Sequence, residues 1–266
     1  MPCLAYKTNI KENNGMKMEF ENKTAIITGG ASGIGLLCGQ NLAKMGANVL
    51  LVDINEDALK EKCAEINAEN CGKAAYAVVD VRCYEQVVKA VDSAFEQFES
   101  VDYLINCAGG CERRCNKYEG GWLDTPSEIF DWGIDVNLKG PLYFSQAAMR
   151  YMVKQKSGVI IYLGSICGEE ASRDAMAYSA SKAALMHGLV KSMALFGAPH
   201  GVRAVCVSPG PVLTRPNMAN LKTLMGRAAE PQEIVDFILY MVSDKAKFIT
   251  GTNHFIDGGR IAMIRG

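Results

Sequence analysis

A chain of 266 residues with 49% hydrophobic and 21% charged side chains can bury one sizeable core, and α/β chains of this length commonly form a single domain. A formal net charge of -1 supplies no chain-wide attraction for nucleic acid or anionic membranes, so neither is an expected partner. No apolar run reaches the roughly 18 to 20 residues that span a bilayer and the N-terminus has no signal-peptide core, so a cytoplasmic location is expected.

Residues 1–17 are polar, include the run Lys11-Glu12-Asn13-Asn14-Gly15 and carry no helical or strand period. They are expected to form a mobile arm ahead of one domain over residues 18–266, with Met16 and Met18 as alternative starts. Beyond the arm, seven short β-branched runs read as strands: Thr24–Thr28, Asn48–Asp53, Ala74–Asp80, Tyr103–Asn106, Val159–Gly164, Val202–Ser208 and Asn253–Asp257. Helical patterns fill most of the gaps. Strands that are apolar almost throughout and separated by helices are buried on both faces, which predicts a single α/β, Rossmann-type, doubly wound domain with a seven-stranded parallel sheet flanked by helices. The stretch from Gly110 to Pro126 is the longest irregular segment, and it follows a strand end.

The first strand runs into Thr28-Gly29-Gly30-Ala31-Ser32-Gly33-Ile34-Gly35, a glycine turn opening a helix. Backbone N–H groups can approach a pyrophosphate there with no Cβ in the way. Asp53 ends the next strand 18 residues after Gly35, where a carboxylate can accept hydrogen bonds from an adenosine ribose diol and would repel a 2'-phosphate. NAD is therefore favoured over NADP. A helix N-cap is the plainer role for Asp53, but Asn55 suits that role at least as well.

With Asp80-Val81 and Asn106-Cys107-Ala108-Gly109 at the next strand ends, the order of motifs resembles the short-chain dehydrogenase/reductase family over roughly residues 19–259. The resemblance implies that Gly29, Ser32, Gly33, Ile34 and Gly35 hold the dinucleotide, that Asp80 and Val81 contact the adenine, and that Asn106, Ala108 and Gly109 line the cofactor cleft. It also implies that Pro209, Gly210, Val212 and Thr214 close over the nicotinamide end, that Asn137 bends its helix and holds a water linked to Lys182, and that the protein is a homotetramer or dimer.

Tyr178 and Lys182 stand four apart on a helical pattern running from about Ala175 to Leu195, so both side chains emerge on one face. An ammonium beside a phenol favours the phenolate, so the Tyr178 pKa is expected to fall below its free value of about 10. The phenol can then exchange a proton with an alcohol or ketone oxygen, with Ser165 placed after a strand to hold that oxygen. Asn137, Ser165, Tyr178 and Lys182 are the expected catalytic set, and Tyr178 and Lys182 also contact the cofactor.

Cys107, Cys111 and Cys115 recur every four residues, but three thiols without paired close spacing or a nearby His are no zinc site, and no metal is expected. The ten cysteines are read as reduced, with Cys111 and Cys115 exposed and oxidisable. His187, His200 and His254 are isolated. Only 15 residues separate Gly210 from Gly226, a short lid that favours a bulky apolar secondary alcohol or ketone, best a hydroxysteroid or bile acid. Arg113, Arg114 and Lys117 could meet an acidic tail or form a solvated cluster. A 3-oxoacyl thioester reductase and a sugar or polyol dehydrogenase are the other enzyme readings, and a dinucleotide sensor is the non-enzyme one.

Overall fold

The computed structural model describes residues 18–69 and 72–264, so the expected N-terminal arm lies outside the described residues. The apolar runs become seven strands: β1 (Thr24–Thr28), β2 (Asn48–Asp53), β3 (Ala74–Val78), β4 (Tyr103–Asn106), β5 (Gly158–Leu163), β6 (Val202–Pro209) and β7 (Thr252–Ile256). All pair in parallel in the order β3-β2-β1-β4-β5-β6-β7. Alternate residues of each strand point to opposite faces. Ile27, Leu51, Ile105, Ile161 and Val205 enter one core layer, whereas Ile26, Leu50, Leu104, Ile160 and Tyr162 enter the other.

Helices α1 (Gly33–Lys44), α2 (Glu56–Ala68), α3 (Tyr84–Phe98), α4 (Glu112–Cys115), α5 (Ser127–Ile134), α6 (Gly140–Gln155), α7 (Cys167–Glu170), α8 (Met176–Ala183), α9 (Val190–Gly197), α10 (Pro231–Val242) and α11 (Arg260–Ile264) fill the connections. Helices α1 and α10 pack on the first layer, while α3 and α6 pack on the second. A turn of π-helix over Asp135–Lys139 joins α5 to α6, and another over Ala184–Leu189 joins α8 to α9. None of the described helices is long and apolar enough to cross a membrane.

Some local readings change: β5 and β7 each begin and end one residue earlier than expected, and β6 runs one residue further. The third strand stops at Val78 instead of Asp80, and its residues are half-buried or exposed because β3 is an edge strand with one neighbour. Burial on both faces therefore holds for the inner strands only. The segment from Gly110 to Pro126 is not wholly irregular, since α4 and a 3-10 turn over Trp122–Asp124 lie within it. Asn55, as expected, is the N-cap of α2, and its side chain accepts from Ala58 N at 3.2 Å.

Candidate active site

Strand order reverses between β1 and β4, and a cleft of about 550 Å³ lies beyond the carboxyl ends of those two paired strands. Gly29, Ser32, Gly33, Ile34 and Gly35 form one wall of it, Asp53, Asp80, Val81 and Arg82 form the outer end, and Cys107, Ala108, Gly109 and Thr214 lead inward. A Cβ on Gly35 would come within 2.4 Å of the Gly29 carbonyl oxygen, so only glycine lets the helix start this close to the strand. At Gly33, with φ +57, a Cβ would instead project into open space of the cleft. No side chain caps α1, which leaves the N–H groups of its first turn to a ligand.

Asp53 is fixed at the outer end of this cleft. Its Oδ1 accepts from Ile54 N at 2.8 Å and Asn55 N at 3.2 Å, and its Oδ2 accepts from Ala31 N in the glycine turn at 3.3 Å. Arg82 is the one cation among the described residues lining the cleft, and it is bound through Nε and Nη2 to Asp80 at 2.6 to 3.0 Å. The Arg82 hydrogen bonds hold the Asp80 carboxyl below its usual range. Asn106 Oδ1, buried at the end of β4, has no hydrogen-bond partner among the described residues. A helix turn of free N–H groups and a fixed carboxylate together suit a dinucleotide.

At the inner end, Lys182 is almost fully buried and donates from Nζ to the Leu163 carbonyl at 2.6 Å. Nζ also lies 5.4 Å from the centre of the Tyr178 ring. Ser165 is buried beside them, and its Oγ accepts from Cys167 N at 3.1 Å. The expected drop in the Tyr178 pKa is not what the structure gives. Burial pushes the phenol up to about 12, while the Ser165 hydroxyl and the Arg114 charge pull against that rise. Burial also pushes Lys182 down to about 8. Desolvation of the charged form is the dominant cause at both groups.

Asn137 sits in the π-helical turn between α5 and α6. Its Oδ1 accepts from Gly110 N at 2.9 Å, and its Nδ2 donates to Gly110 O at 3.0 Å and Gly133 O at 2.8 Å. The side chain is thus a clamp on the loop after β4, and its polar atoms are committed to protein.

Glu112, for which the sequence offered no signal, is 1% exposed. It accepts from Ala177 N at 3.0 Å and Tyr178 N at 3.1 Å, capping the start of α8. The N-cap residue Ala175 cannot do so itself. Reading the sequence also missed Arg82, Trp132 and Leu163 as walls of the cleft. Of the expected cofactor residues, Asn106, Tyr178, Lys182, Pro209, Gly210 and Val212 do not line that cleft. Lys182 still reaches its inner wall through Leu163. Val212 packs into the first core layer. Cys115 is exposed and Cys111 half-buried, and no described group of three His, Cys, Asp or Glu is arranged for a metal ion.

Residues 29–260 match the family model described as enoyl-(acyl carrier protein) reductase. The chain is 38% identical over 250 residues to the trans-4-hydroxycyclohexanecarboxylate dehydrogenase of Sinomonas cyclohexanicum, covering 90% of this chain and 93% of the relative. It is 33% identical over 252 residues to the cyclopentanol dehydrogenase of a Comamonas strain, covering 91% and 98%. The solved structure of an NAD+-bound xylitol dehydrogenase is similar with a TM-score of 0.81 at 27% identity, covering 91% of this chain and all of that one. A match over nearly the whole chain, carried by relatives that are dehydrogenases, places this protein in the short-chain dehydrogenase/reductase family, as an oxidoreductase acting on alcohols and ketones.

Proposed function

We propose that the protein transfers hydride between NAD and a cyclic secondary alcohol or the matching ketone, with Tyr178 as acid and base. The observation that carries this reading is the placement of Lys182 Nζ, bound to the Leu163 carbonyl on the cleft wall and 5.4 Å from the Tyr178 ring. When bound, the nicotinamide supplies the hydride acceptor or donor and, oxidised, a positive ring that helps the phenol ionise. With its pKa held up by burial, Tyr178 is ready to give a proton to a ketone oxygen; in the other direction it takes the alcohol proton as the phenolate. Ser165 holds the reacting oxygen, and Lys182 keeps positive charge beneath the phenol below pH of about 8. NAD is favoured because Asp53 faces the outer end of the cleft while Arg82 is tied to Asp80, leaving no lining cation for a 2'-phosphate.

Relatives named for single-ring alcohols favour a substrate of that size over the hydroxysteroid expected from the short lid. A fused-ring alcohol is the second reading, supported by the exposed apolar side chains of Leu224 and Met225 on the lid and Trp122 and Leu123 in the loop after β4. The test is kcat/KM with NAD across cyclopentanol, cyclohexanol and a hydroxysteroid, alongside Tyr178→Phe. The single-ring alcohols should be turned over at least as well as the steroid, and Tyr178→Phe should lower kcat by about 100-fold or more while NAD still binds. Activity confined to acyl thioesters, or NAD binding without turnover of any alcohol, would overturn the reading.

A further inference from the structure

The loop after β4 carries a guanidinium that has no partner among the described residues. Arg113 is committed to Asp174 at 3.2 Å and to the Gly120 carbonyl. Arg260 is committed to Glu170 at 2.8 Å. Glu112 is used by the N–H groups of Ala177 and Tyr178. Arg114, between these residues, is exposed, and among the described residues its side chain has neither hydrogen bond nor ion pair.

Its position is fixed more narrowly than exposure suggests. A Cβ on Gly110 would fall 2.7 Å from Arg114 Nη2 and 2.8 Å from Cys115 Sγ, so the guanidinium lies directly over Gly110. Gly110 is itself clamped at both its N–H and its carbonyl by Asn137. The next residue, Cys115, lines the cleft, and the Arg114 charge lowers the pKa of the Tyr178 phenol, against the larger effect of burial. On the other side, Arg215 follows the cleft-lining residue Thr214, and its one side-chain hydrogen bond among the described residues is a 3.7 Å contact with Met218 Sδ. Arg114 adjoins the cleft-lining Cys115 and Arg215 adjoins the cleft-lining Thr214, so both guanidinium groups belong to the rim of the same cleft.

We propose that Arg114, assisted by Arg215, recognises a carboxylate carried by the substrate at a position remote from its reacting hydroxyl. The inference rests on the cyclic-alcohol reading above and narrows it to ring alcohols bearing an acid group. A planar fork of N–H donors suits a carboxylate bidentately, and two unpaired cations beside an apolar mouth offer such a substrate both a ring contact and a charge contact. The first turn of α1 is the place for the cofactor's pyrophosphate, which leaves this cation pair for another anion. Of the three cations named from the sequence, Arg113 is excluded by its own pairing and Lys117 has no observed link to the cleft.

The experiment compares trans-4-hydroxycyclohexanecarboxylate with its methyl ester as substrates for the full-length protein and NAD. The acid should exceed the ester in kcat/KM by about tenfold or more, through KM, since a hydrogen bond to a charged group typically contributes that much. Arg114→Gln should bring the ratio close to one, Arg114→Lys should leave it between, and Lys117→Gln should keep the wild-type ratio. A wild-type ratio near one, an equal loss on acid and ester, or a loss that tracks a raised KM for NAD would overturn the proposal. Calorimetric binding of cyclohexanecarboxylate to NAD-loaded protein separates this failure from failure of the function. If no alcohol is turned over yet the acid binds and Arg114→Gln abolishes that binding, the arginine inference stands alone; no Arg114-dependent binding removes it as well.

Discussion

Both carboxylate oxygens of Glu112 are engaged by the backbone at the start of α8, one by Ala177 N at 3.0 Å and the other by Tyr178 N at 3.1 Å. A buried acid from the loop after β4 therefore supplies the cap that the helix sequence lacks, and it fixes the backbone from which the phenol projects. Glu112→Ala should lower kcat by about tenfold or more, because small misplacement of a reacting group is costly. It should also destabilise the protein by about 1 to 3 kcal/mol, since buried N–H groups lose their acceptor. Glu112→Gln keeps one acceptor and should fall between. Unaltered kcat and an unaltered urea midpoint in Glu112→Ala would show that the cap positions nothing.

Burial pushes Lys182 down to about 8 from 10.5 for a free lysine, and this difference should register in stability. Below pH of about 8 both folded and unfolded chains carry the charge, and the folded protein bears the full cost of burying it. Between about 8 and 10.5 the unfolded chain holds more proton, so this residue makes stability rise with pH, by something on the order of 3 kcal/mol in total. Tyr178 acts oppositely above pH of about 10, where the unfolded chain loses a proton that the folded one keeps. Comparing urea midpoints of wild type and Lys182→Met at pH 7.5 and 9.5 isolates the lysine, as other titrations cancel in the difference. The variant should lose the upward contribution, and identical pH dependence in both proteins would mean that Lys182 is not desolvated.

Cofactor choice should follow Asp53. Asp53→Ala removes the carboxylate at the outer end of the cleft and should narrow the NAD over NADP preference in kcat/KM by about tenfold, while also loosening the glycine turn through loss of the Ala31 contact. A wild-type enzyme that already prefers NADP would show that this carboxylate does not select the cofactor.

Assembly is expected from the surface beside β7. Phe248 is fully exposed, and Leu195 and Phe196 of α9 are 79% and 57% exposed. So much aromatic and aliphatic surface suits burial against a second copy, as a dimer or homotetramer. Light scattering at micromolar concentration should report more than one chain, and a monomer would leave this surface unexplained.

The inner strands, the glycine turn and the pairing of Tyr178 with Lys182 were legible because each rests on a short repeat: apolar runs of a strand, a turn that needs glycine, four residues along one helix face. The edge strand β3 was read too long because the apolar run continues through Val79, which is buried although the strand has ended at Val78. Arg82 was passed over beside Asp80, although their bidentate pairing takes from the cleft its one lining cation.

What the sequence alone determined was the layered sheet, the place of the glycine turn and the setting of Tyr178 and Lys182 on one helix face, all consequences of local periodicity and spacing. Tertiary structure decided the rest. Glu112 reaches α8 across 65 residues, Asn137 clamps Gly110 across 27, and Arg113 finds Asp174 while Arg114 finds no partner among the described residues. The direction of the Tyr178 pKa was settled there too, because desolvation depends on how many atoms from distant segments surround a group, and no local pattern records that number.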